Sequence, residues 1–275
     1  MTYTSSGSAA HDILDCVDGH GPRATRVTRR MRRRLCLSAG LVVIGIASGL
    51  AATPASAAYE VIAVTNGGTI DGVVTLAGAA PAGSAIKTTK NQDYCGATIP
   101  DPTYIVGSGG GLVNVIVYLK DITKGKAAPS EPVPLVNEHC MFAQRAQGAM
   151  VGGQIKISSN DPILHNTHPM NAETNATIYN IAMPFKGFSV TKPLPASPGL
   201  IKVKCDAHEW MRSWILELDH PYYATTGSDG HFTLKDVPPG RYTLVAWHEA
   251  AGEKSEPVVV TAGKSTESKI SLAAK

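Results

Sequence analysis

Alternation of apolar and polar positions with a period of two runs through most of the chain. Thr69 to Leu76 reads Thr-Ile-Asp-Gly-Val-Val-Thr-Leu, and the pattern stops at a Gly-Ala-Ala-Pro-Ala-Gly turn signal. Leu112 to Leu119 is a β-branched run fit for a buried strand. Ala149 to Ser158 reads as another strand, Ile201 to Cys205 alternates cleanly, and Trp214 to Leu218 resumes an apolar run. Gly227-Ser228-Asp229-Gly230 turns into a strand through Phe232 and Leu234, and Pro238-Pro239-Gly240 turns into Tyr242 to Trp247. Val258 to Val260 and Lys269 to Leu272 give the last short strands. No amphipathic helix of about twelve residues is present. Gly107 to Gly111 leads into a strand rather than a helix, so it is a loop and not a phosphate cradle. Lys124 to Pro134 is rich in Pro, Lys and Ala and reads as a linker. Short strands at regular spacing with Gly/Pro turns predict an all-β protein built of β-sandwiches.

The 275 residues suit one or two domains, and 43% hydrophobic residues exclude wholesale disorder. The 27 glycines and 18 prolines show no triplet period, which excludes collagen. The chain contains no P-loop, G-x-G-x-x-G, H-E-x-x-H or G-x-S-x-G motif. The net charge of +3 comes from the first 57 residues, which hold seven arginines and three aspartates. Beyond them, 18 basic residues face 19 acidic ones, so no basic stripe for nucleic acid remains.

Those first residues have their own logic. Arg29 to Arg34 is a positive segment, Leu35 to Ala52 is apolar with three glycines, and Ala55-Ser56-Ala57 is a small-x-small cleavage site. Together they read as a secretory signal peptide cut after Ala57, within a leader spanning 1–57. An uncleaved anchor is the alternative, since 18 residues are marginally long enough to span a bilayer. The expectation is an exported protein, periplasmic or at the cell surface, with no membrane span after cleavage.

Export changes the cysteine arithmetic. Cys16 and Cys36 leave with the leader, and Cys95, Cys140 and Cys205 remain. An odd count in an oxidising compartment suggests one disulfide and one thiol with another task. A Cys95–Cys140 disulfide closing a loop of about 45 residues is the expectation; two isolated buried thiols are the alternative.

The third thiol lies in Cys205-Asp206-Ala207-His208-Glu209-Trp210-Met211, between two predicted strands. A tight loop of this kind can aim a thiolate, an imidazole and a thioether at one point. Asn160-Asp161-Pro162-Ile163-Leu164-His165-Asn166 supplies a further imidazole from a distant strand end. Two His, one Cys and a weak Met suit copper. The sites of structural zinc use further thiolates or imidazoles, and calcium takes oxygen ligands.

Cys-x2-His-x2-Met, preceded by His-Asn near a strand end, resembles the cupredoxin (blue copper) family, with a short amicyanin- or plastocyanin-like ligand loop. The resemblance covers about a third of the chain. It implies a two-sheet Greek-key sandwich with one type 1 copper near one end. His165, Cys205 and His208 would be the strong ligands and Met211 the long axial one. Asn166 would donate its main-chain amide to the cysteine sulfur and so tune the potential. His168, three residues on, is the alternative to His165. The resemblance also implies electron transfer with redox partner proteins, leaving by an exposed edge of His208, and no catalysis.

The tail Thr226 to Leu272 resembles a carboxypeptidase regulatory-like (prealbumin-like) β-sandwich, through its Ser-Asp-Gly turn, Pro-Pro-Gly turn and flanking strands. Gly68 to Val74 and Val113 to Leu119 suit the opening strands of such a domain. The expected organisation is a discontinuous sandwich, residues 59–124 and 222–275, with a cupredoxin domain at 134–220 inserted; two tandem domains are the alternative. A cell-envelope structural or copper-handling protein is the alternative function. Oxidase chemistry would need a second copper cluster. The seven histidines beyond the leader form no H-x-H pair to build one. His248 reads as a capped surface histidine, with metal contact as the alternative, and Glu249 as exposed.

Overall fold

The computed structural model describes residues 58–275. The leader reading over 1–57 lies outside the described residues. Among the described residues, the only helical elements are single turns at Gln92–Cys95 and Ser108–Gly110, and the other regular elements are strands. No helix there is long and apolar enough to cross a membrane.

Gly68–Ala77 shows how the period of two becomes structure. Gly68, Ile70, Gly72, Val74 and Leu76 are buried, while Thr69, Asp71, Val73 and Thr75 between them are partly exposed. This strand is the middle of a three-stranded sheet, antiparallel to His231–Val237 and parallel to Ser265–Ala273. Tyr223–Thr225, Ile116–Lys120, Gly240–His248 and Gly252–Val260 form a four-stranded sheet. Ile70, Val74 and Leu76 from the first share one core with Val117, Leu119, Leu244 and Val258 from the second. Each such aliphatic side chain contributes about 1.5–3 kcal/mol on burial. The glycine-rich loop before Leu112 serves close packing. A Cβ at Gly107 or Gly111 would run into the Ser228 and Asp229 carbonyls of the opposing turn.

A second pair of sheets is built from the chain between Ile116–Lys120 and Tyr223–Thr225. Its four-stranded sheet runs Ser189–Pro193, Gln154–Ser159, Val133–Glu138, Met141–Phe142. Its five-stranded sheet runs Ile181–Met183, His165–Asn171, Gly199–Lys204, Arg212–Leu218, Ala146–Met150. Leu135, Ile155 and Ile157 meet Met183, Ile201, Val203 and Ile215 in its core. The stretch from Ala149 to Ser158, expected as one strand, is divided. Val151, Gly152 and Gly153 turn, with Gly152 at φ +67°, and the chain passes from one sheet to the other. A glycine pair makes that switch of sheet possible.

An excursion from the first pair of sheets packs on this second core. Ile86–Lys87 pairs with Thr98–Ile99, and Ile86, Cys95 and Ile99 join the second cluster. Cys95 is disulfide-bonded to Cys140, with Cα atoms 5.7 Å apart and a sequence separation of 45. The expected disulfide is therefore present.

The two pairs of sheets meet at a buried ion pair. Arg145 donates from Nε and Nη2 to the two carboxylate oxygens of Glu249, at 2.5 and 2.8 Å, and from Nη1 to the Arg212 carbonyl at 3.2 Å. Trp214 Nε1 donates to the same carboxylate at 2.8 Å, and its ring meets Trp247 edge-on. The Glu249 side chain is 10% exposed, not open to solvent as the sequence suggested. His248 is buried as well. Its Nδ1 accepts the main-chain N–H groups of Ala250 and Ala251, and Tyr104 stacks on its ring. It caps a turn inside the fold, so the surface reading is corrected.

Candidate metal centre

The site lies at one end of the second pair of sheets, where two antiparallel neighbours present their ends. His165 opens the strand His165–Asn171, and the Cys205–Met211 loop joins Gly199–Lys204 to Arg212–Leu218. Pairing of His168 with Lys204 sets the register that brings His165 beside Cys205. The loop is closed from within. Met211 N–H donates to the His208 carbonyl at 3.0 Å, and Cys205 N–H donates to the Met211 carbonyl at 3.4 Å. Cys205, His208, Met211 and His165 are all buried.

The ligand atoms of His165, Cys205 and His208 lie within 4.8 Å of one another. His208 turns Nδ1 toward the Cys205 sulfur, 3.8 Å away. His165 Nδ1 is buried with no hydrogen-bond partner, an uncommon and costly state for a polar atom. Asn166 N–H donates to the Cys205 sulfur at 3.4 Å. The Asn166 carboxamide oxygen accepts from Asp206 and Ala207 N–H at 2.6 and 3.1 Å, fixing the start of the ligand loop. Met211 shares the buried cluster with Cys205.

Period-two geometry separates the two candidate histidines. His168 is three residues from His165 and so lies on the opposite face. It bonds to Asp206 at 2.9 Å and to Thr177 at 2.8 Å.

Each cluster histidine has its outer ring nitrogen held. His165 Nε2 lies 2.8 Å from Asp161 Oδ2. Asp161 also accepts His139 N–H, Cys140 N–H and the Tyr94 hydroxyl, at 2.8 to 2.9 Å. His208 Nε2 lies 2.9 Å from Asn91 Oδ1. Trp210 meets the His208 ring edge-on and donates to the Cys140 carbonyl at 2.9 Å. The expected exposed edge of His208 is not found: the residue is 0% exposed, because the excursion carrying Asn91 lies over it. Asp161 stood in the quoted His165 segment without a role, and neither Tyr94 nor Asn91 was singled out. The one local signal was the Asp-x3-His spacing.

Electrostatics favour neutral imidazoles. Burial, then the nearby His165 and Lys90 charges, push His208 down to about 4. Burial also lowers His165, against the pull of Asp161. Burial pushes the Asp161 carboxyl up, but its four hydrogen bonds outweigh that and the net shift is down. Burial pushes the Cys205 thiol up, partly offset by the amides of Asn166, His208 and Ala207. Two neutral nitrogens and one sulfur with a displaceable proton converge, which is what a soft metal ion requires.

One family model matches part of the chain: polysaccharide lyase family 4, domain II, over residues 196–268. It spans the Cys205–Met211 loop and the C-terminal strands as far as residue 268, and it overlaps the stretch where a carboxypeptidase regulatory-like match was expected. No curated protein matches the sequence. Among solved structures, amicyanin from Paracoccus versutus is 14% identical, covers 33% of this chain and 85% of its own, and aligns with a TM-score of 0.29. A purple cupredoxin from Nitrosopumilus maritimus is 14% identical, covers 31% of this chain and 99% of its own, with a TM-score of 0.27.

Proposed function

We propose that the protein is an exported copper protein with a single type 1 site that acts in electron transfer. One observation carries the reading. Three ligand atoms from two remote stretches lie within 4.8 Å of one another, His165 keeps a buried Nδ1 without a partner, and a main-chain amide already points at the sulfur. In this reading His165 and His208 bind through Nδ1, Cys205 through its sulfur and Met211 through its thioether. Copper there supplies one-electron chemistry with little change of geometry. The chain's own work is to hold the ligands still. Asp161 and Asn91 fix the two rings, Asn166 fixes the sulfur, and burial keeps water away. Four protein ligands leave no position for a substrate, so no catalytic residue is assigned.

Beside Cys205 a surface hollow of about 330 Å³ is lined by Lys202, Lys204, Asp206, Glu209 and Arg212. Its mixed charge suits a redox partner held by salt-sensitive contacts. The C-terminal strands with Gly68–Ala77 serve as a carboxypeptidase regulatory-like scaffold, with residues 134–220 inserted as the copper domain. The signal in residues 1–57 directs export.

A second reading, copper holding within a cell-envelope scaffold, is favoured by the complete burial of His208. Reduction of the copper-loaded chain by a small redox protein separates the two. Rapid, reversible exchange supports the carrier, and exchange with no donor supports the scaffold.

A further inference from the structure

The segment around the helical turn Gln92–Cys95 reaches the metal centre at three points. Asn91 Oδ1 lies 2.9 Å from His208 Nε2. The Tyr94 hydroxyl donates to Asp161, the carboxylate that holds His165. Cys95 is bonded to Cys140, whose own N–H donates to Asp161 and whose carbonyl accepts from Trp210 beside the His208 ring. One short stretch, 117 residues from His208 at Asn91, therefore touches the supports of both histidines.

The local chemistry shows that Asn91 is not there for its own turn. It precedes the helical turn in the left-handed region, φ 51° and ψ 40°, and its side chain makes no capping bond. Its main-chain carbonyl accepts Tyr94 and Cys95 N–H, so the turn is closed by backbone alone. The carboxamide is left free to face His208. With its oxygen toward the ring, Nε2 carries the proton and donates, which leaves the Nδ1 lone pair toward the sulfur.

We propose that Asn91 is a positioning residue for His208, and that the segment from Lys90 to Gly96 is a cover pinned by the Cys95–Cys140 disulfide over that ring. The cover sets the tautomer and shuts the outer edge of the ring from solvent. Opening the disulfide frees the segment and exposes the edge. The inference rests on the metal-centre reading for its consequence alone, and its test needs no metal.

The test is imidazole acylation by diethyl pyrocarbonate on the full metal-free chain, mapped by peptide mass spectrometry. Wild-type His208 is expected to be protected. Asn91→Gly keeps the left-handed backbone and removes the carboxamide, and is expected to raise the His208 rate at least about ten-fold. Asn91→Asp retains the acceptor and is expected to restore protection. A ring N–H signal for His208 in long-range proton–nitrogen spectra should follow the same order. Dithiothreitol takes the disulfide to two thiols, leaves as its own cyclic disulfide, and should unprotect wild-type His208 as Asn91→Gly does. An unchanged rate in Asn91→Gly overturns the proposal, as does an Asp variant no better than Gly. If Asn91→Gly loosens the whole fold, His165 reacts too, and the reduced wild type decides: protection lost at His208 alone supports the cover, and protection retained overturns it. A chain that behaves as expected here but takes up no copper keeps its cover and loses the metal-centre reading.

Discussion

Asp161 and His165 are joined in the interior: Oδ2 of one lies 2.8 Å from Nε2 of the other, and neither residue is more than 1% exposed. The carboxylate is also the meeting point of His139, Cys140 and Tyr94. Asp161→Ala is therefore expected to cost about 2–4 kcal/mol in denaturant unfolding of the metal-free chain, by leaving buried donors unpaired. Copper affinity should fall roughly 10- to 100-fold, the usual effect of removing the partner that orients a ligand. A variant that unfolds at the wild-type denaturant concentration contradicts this role.

Glu217 carries the clearest pH dependence. It is 2% exposed, its Oε1 has no hydrogen-bond partner, and burial raises its pKa from 4.5 to about 8. Between those values the folded chain holds a proton that the unfolded chain has released. Stability is then full below the unfolded value and is lost as pH rises through about 8. Unfolding free energy of the metal-free chain should drop by a few kcal/mol (on the order of 3) from pH 5 to pH 8. Glu217→Gln should flatten that slope. An equal slope in the variant contradicts the assignment.

The junction between the two pairs of sheets rests on Arg145 and Glu249. Their side chains are 9% and 10% exposed, so removing one strands the other. Arg145→Ala is expected to cost about 3–5 kcal/mol in thermal or denaturant unfolding, because Glu249 keeps only the Trp214 donor. A loss under about 1 kcal/mol would mean that the pair behaves as a solvated surface bridge.

The sequence was most legible where chemistry is local. Period-two alternation announced the β architecture, and turn residues marked most of its breaks. The Cys-x2-His-x2-Met spacing singled out a loop that closes on itself through Met211 and His208. The odd cysteine count left Cys95 and Cys140 to pair, as they do. What escaped is made of long-range contacts between residue types common on any surface. Asn91 looks like an ordinary turn residue until the fold brings it to His208. Asp161 precedes a proline and reads as a turn former, yet it holds four donors. His248 and Glu249 are polar at a strand end, and long-range partners cover them: Tyr104 stacks on the first, and Arg145 and Trp214 bind the second. The division of Ala149 to Ser158 was written in Gly152-Gly153, two residues that a strand pattern reads through.

The most direct measurement is a copper titration followed by visible absorption, on the wild type and on Cys205→Ser. An intense sulfur-to-copper charge-transfer band is expected to saturate at one copper per wild-type chain and to be absent from the serine variant. Met211→Leu should keep the band and raise the reduction potential. A wild-type chain that takes up no copper, or a Cys205→Ser chain with the same band, would rule out a copper site built on Cys205.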